Sequence, residues 1–105
     1  MDPEKLAAEL SKRGNSWAEL DQAASMLEET KKSVIAQATL AADASSQGGK
    51  EAQALASPLV RDHIAAMVDA RGKANIAKVN FDVYRTYIEL LRTKQATMRA
   101  EMGIR

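Results

Sequence analysis

From Val60 to Met102 the chain repeats apolar residues at alternating spacings of three and four: Val60, Met67, Ala70, Ala74, Ala77, Phe81, Tyr84, Ile88, Leu91, Met98 and Met102, with His63 and Gln95 as polar interruptions. Such spacing is the seam of a helix that packs along another helix. No Pro falls inside it, so it predicts one long helix over about 58–102, roughly 68 Å at about 1.5 Å per residue. Ser57-Pro58 supplies its start, a hydroxyl cap followed by a Pro at the position where a missing N–H does no harm.

A second seam runs Trp17, Leu20, Ala24, Leu27, Lys31, Val34, Ala38, Ala41 and Ser45 and predicts a helix over about 16–46. Ahead of it, Asp2-Pro3-Glu4 opens a short helix over about 3–13 with Leu6 and Leu10 on one face. Gly14 and Asn15 tolerate the left-handed conformation that closes helices, and Ser16 with Glu19 forms a capping box. The pair therefore reads as a stop, but the two seams stay in phase across it, so the helices form either one kinked rod or a rod with a hinge at Gly14-Asn15. Ala44-Ser45-Ser46-Gln47-Gly48-Gly49 is polar and flexible, which places the connection at about 47–57. Lys50 to Ala56 can add a helical turn or two within it.

Two long helices joined by one short connection fold back antiparallel. The expected fold is all-α: a single domain over 1–105, an antiparallel two-helix coiled-coil hairpin with a short N-terminal helix. Matching large against small residues along the seams sets the register. Ala41 should lie near Val60 and His63, Val34 near Met67 and Ala70, and Leu27 near Ala74 and Ala77. Ala24 should face Phe81, and Trp17 should face Tyr84 and Ile88. Leu6 and Leu10 would then reach Leu91, Gln95 and Met98.

One set of apolar residues is left over. Ile76, Val79, Val83, Tyr87 and Leu90 form a second stripe on the long helix, away from its seam, and a two-helix hairpin cannot bury both sides. The stripe is the expected partner interface, most economically for a homo-oligomer, a dimer or higher, that assembles into a helical bundle. The alternative within one chain is that Leu6 and Leu10 fold over it.

Composition agrees with an elongated shape, since one Trp, two Tyr and one Phe leave little aromatic bulk for a globular core while Ala is abundant. The chain has no Cys, which removes disulfides, thiolate catalysis and Cys-based zinc sites. Its single His, beside Asp62, is expected to be structural. Adjacent Glu28 and Glu29 point about 100° apart on a helix and cannot share a reacting atom. Gly48-Gly49 lacks the surroundings of a phosphate loop. No catalytic residue, cofactor or metal is expected, and the chain reads as a non-enzyme.

Charge is uneven. Residues 1–57 hold six Lys or Arg against nine Asp or Glu, and residues 58–105 hold nine against five. Attraction between antiparallel helices accounts for this most simply. The other expectation is a phosphate-binding surface made by Arg71, Lys73, Lys78, Arg85, Arg92, Lys94 and Arg99, with Tyr84 and Tyr87 among them. The N-terminus lacks the marks of a signal peptide, and no run nears the roughly 20 apolar residues of a membrane span, so a cytoplasmic protein with no membrane contact is expected.

Residues 56–102 carry Ala56-Ser57-Pro58-Leu59-Val60-Arg61-Asp62-His63, then Ala70-Arg71-Gly72-Lys73-Ala74-Asn75, Lys78-Val79-Asn80-Phe81-Asp82, and Arg92-Thr93-Lys94-Gln95-Ala96-Thr97-Met98-Arg99-Ala100-Glu101-Met102. This stretch resembles small helical proteins encoded by phages and prophages in the region of DNA-recombination genes. The resemblance implies an accessory protein, in the host cytoplasm, that contacts DNA-processing machinery or inhibits a host protein.

Overall fold

The computed structural model describes residues 2–104, which form three helices: α1, Pro3–Leu40; α2, Gln47–Ala56; and α3, Pro58–Ile104. No strand occurs among the described residues. The molecule measures 86 × 20 × 15 Å with a radius of gyration of 23.7 Å, against about 13 Å for a compact domain of this length. It is a rod made of α1 and α3 side by side, capped at its closed end by α2.

The N-terminal half is one helix where two were expected. Asp2 caps it, its carboxylate accepting from the Glu4 N–H at 2.9 Å with Pro3 in the first turn, and the helix then runs straight through Gly14 and Asn15. Gly14 serves packing. A Cβ at that position would lie 3.2 Å from Cε2 of Phe81, so the missing methyl is the recess in which the Phe81 ring rests against α1. The ring continues onto Trp17, with centroids 5.6 Å apart.

The helix also ends early, at Leu40. Ala44 turns out of it and donates its N–H to Oε1 of Gln53, and Ser46 caps α2 by accepting from the Gly49 N–H at 3.0 Å. The two glycines expected to be a flexible connection thus lie in the first turn of α2. Gly49 allows the tight bend, because a Cβ there would stand 2.9 Å from the Ser46 hydroxyl and 3.1 Å from the Ala44 methyl. α2 folds back over the hairpin so that Ala38, Ala54 and Val60 share one cluster with Val34, Ile35 and Ile64 around it. Ser57 then donates to the Ala54 carbonyl at 2.6 Å and offers its oxygen to the Val60 N–H, passing the chain into α3.

The early stop moves the register by about one heptad from the expected pairing, a displacement that keeps seam on seam. Phe81 meets Gly14 and Trp17 instead of Ala24. His63 reaches Leu27, donating from Nε2 to its carbonyl at 2.7 Å, instead of lying near Ala41. The seam itself is alanine-lined: Ala24, Ala54, Val60 and Ala74 are at most 1% exposed. Such small side chains let backbones approach closely, so contact is thin but continuous along the rod. It gives out after Leu91. Gln95, Met98 and Met102 are exposed.

Candidate interaction surface

The stripe left over by the seam remains uncovered in the folded chain. Ile76, Val79, Val83, Tyr87 and Leu90 are 48–64% exposed, on the side of α3 turned away from α1. Leu6 and Leu10 do not fold over it; they line an open groove of about 780 Å³ at the free end of the rod, with Ile88, Leu91 and Arg99 across from them. Two more residues extend the stripe toward the closed end. Val68 is 68% exposed, and Gly72, one turn on, has open space where a Cβ would be. The sequence pattern carried both, at the same three-and-four spacing, but Gly72 has no side chain to register in an apolar count.

The basic residues do not make one surface. Arg71 turns inward and binds α1 with its whole guanidinium: Nη1 donates to Asp21 at 2.6 Å, Nε and Nη2 fork onto the two Glu28 oxygens at 2.9 and 2.6 Å, and Nη2 also reaches the Ser25 hydroxyl. The hydrogen bond from Arg71 holds the Glu28 carboxyl below its ordinary value, and the two acids together raise the already high Arg71 value. Lys73 pairs with Asp69 at 3.0 Å within α3. Lys78 leans over the Trp17 ring, and Arg85 lies over Phe81 and contacts Asp82. Arg92 and Arg99 line the end groove, and Lys94 is exposed. Of the two tyrosines, Tyr84 sits under the Arg13 guanidinium, 4.4 Å from its centroid, while Tyr87 stays outside, 6.0 Å from Tyr84.

Among the described residues no group of three His, Asp or Glu gathers where it could hold a metal ion, and no helix is long and apolar enough to cross a membrane. His63 spends its Nε2 proton on the α1 backbone, which makes it a cross-hairpin tie. Glu9 is held below the ordinary carboxylate range by its hydrogen bond from Arg13, one turn along α1. These groups bind the rod together and converge on no common point. Compared with protein-family models, curated proteins and solved structures, the chain matches none.

Proposed function

We propose that the chain is a non-catalytic binding module whose working surface is the outer face of α3. The observation that carries this reading is the continuous exposure of Ile76, Val79, Val83, Tyr87 and Leu90 along one side of a rod whose other side is already filled. An apolar strip of that length on a helix fits a second helix laid beside it, and hydration of the strip is the free-energy cost that association removes. The resemblance of residues 56–102 to phage and prophage helical proteins supplies a setting, an accessory factor that contacts DNA-processing machinery or inhibits a host protein. Nucleic-acid contact ranks below this, since Arg71, Lys73 and Arg85 are engaged with acids of the same chain.

The test places a photoreactive side chain at position 83, and in a control protein at Glu29 on α1, in the cell that makes the protein. Protein adducts formed from position 83 and not from position 29 are expected. Equal labelling from both positions, or none from position 83, overturns the reading. Binding to a labelled oligonucleotide that falls steeply with salt would move nucleic acid ahead of protein as the partner.

A further inference from the structure

Along the outer face of α3 the charges and side-chain sizes form a sequence that is complementary to its own reverse. Reading from the closed end, the face presents Arg61, Asp69, the apolar residues Val68 to Leu90, Lys94 and Glu101. All four charged residues are exposed, and among the described residues Arg61, Lys94 and Glu101 make no ion pair. Taking up the binding face proposed above, we propose that its occupant is the same face of a second copy of this chain, antiparallel, with the two-fold axis level with Phe81.

In that arrangement Arg61 of one chain comes level with Glu101 of the other and Asp69 with Lys94, and symmetry makes each pair twice. Val79 meets Val83, Ile76 meets Tyr87, and Leu90 comes level with Gly72. Gly72 offers the open recess, since nothing lies within 4 Å of where its Cβ would be. The molecule already uses this device once, where Phe81 rests on Gly14. A parallel pair would instead set Arg61 against Arg61, Asp69 against Asp69 and Tyr87 against Tyr87, and would leave Gly72 facing Gly72 across a void. Like charges and matched sizes oppose that orientation, while opposite charges and large-on-small contacts favour the antiparallel one. The product is a four-helix bundle with both α3 helices at its centre and the α1 helices outside.

The chain has no Cys, so single cysteines report the geometry directly. D69C and K94C chains, purified separately, are mixed and mildly oxidised. A disulfide-linked pair containing one chain of each kind is expected, with neither variant linking to itself. Light scattering on the unmodified protein should give twice the 11.4 kDa chain mass, and V83E should return it to a single chain with its helical circular dichroism retained. Self-linking of D69C, a V83E protein that stays dimeric, or unmodified protein at single-chain mass up to hundreds of micromolar each overturns the proposal. Single-chain mass together with adducts of a different protein from position 83 would sink self-pairing and leave the binding face standing; single-chain mass without adducts would sink both.

Discussion

Gly14 and Gly72 both lie well inside long helices, where glycine costs about 0.5–1 kcal/mol relative to alanine. One is occupied and the other is open. Gly14 receives Phe81 from across the hairpin, and Gly72 faces away from α1 with nothing above it. The inner and outer faces of α3 both carry apolar residues at three-and-four spacing. The inner one sends Phe81 into a recess on α1, the outer one carries a recess of its own at Gly72, and the chain covers only the first. What a helix face does is decided by what reaches it, and sequence periodicity records only that something should.

The sharpest test of this contrast is a charge placed on each face. Phe81 rests between Gly14 and Trp17, so F81E removes a large apolar contact and leaves a carboxylate on the inner seam. A loss of about 3–5 kcal/mol is expected, enough to melt a thin hairpin, read by thermal circular dichroism. V83E, two residues away and 61% exposed, should alter the stability of the single chain by only about 0.5 kcal/mol. Equal losses would mean that the two faces are not distinct.

The next test fills the recesses. G14L forces a side chain into the space held by Phe81 and should destabilise by about 1–3 kcal/mol through overpacking. G72A adds a methyl where there is room and replaces glycine in a helix, so the isolated chain should gain about 0.5–1 kcal/mol. Denaturant midpoints of the two proteins should move in opposite directions.

These positions also show what was legible beforehand. The long helix α3 and the outer stripe follow from periodicity, and the antiparallel packing from the short connection between two seams; the extent of α1, one helix from Pro3 to Leu40, does not. The register was not legible. Pairings one heptad apart keep the same seams in contact, and an alanine-rich seam penalises the wrong one weakly. What decides it is the end of α1 at Leu40, which depends on Ser46 and Gly49 capping α2 rather than on any breaker in α1 itself. Gly14 was misplaced for a related reason. The absence of a Cβ is the signal of a helix stop and equally of a recess, and only the approach of Phe81 tells them apart. Arg71 looked like part of a basic surface because its partners, Asp21 and Glu28, are distant in sequence and come beside it only in the observed register.

A smaller effect is expected at His63. H63L removes the hydrogen bond from Nε2 to the Leu27 carbonyl while keeping an apolar side chain on the seam, and should lower stability by about 1 kcal/mol. A loss of several kcal/mol would give His63 a larger part in the inner face than a single tie.

The smallest effect belongs to the ion pairs at the edge of that face, and it has a sign in pH. Glu28 titrates below the ordinary glutamate value of 4.5 in the folded chain because Arg71 donates to its carboxylate. A depressed folded-state value means that the stabilisation is fully present above the unfolded value and is lost as pH falls through the folded one. The melting temperature of the unmodified protein should therefore exceed that of E28Q at pH 7, and the gap should begin to narrow near pH 4.5 and close as pH falls through the lower folded-state value. Glu9 contributes with the same sign through Arg13, but that pair lies within one helix and is present in both proteins, so it cancels in the difference. Because Glu28 and Arg71 are partly exposed, high salt should narrow the gap at neutral pH as well. A gap unaffected by pH would mean that Glu28 does not hold Arg71 across the hairpin in solution, and the polar ties between α1 and α3 would then be those of Arg71 to Asp21 and of His63 to the Leu27 carbonyl.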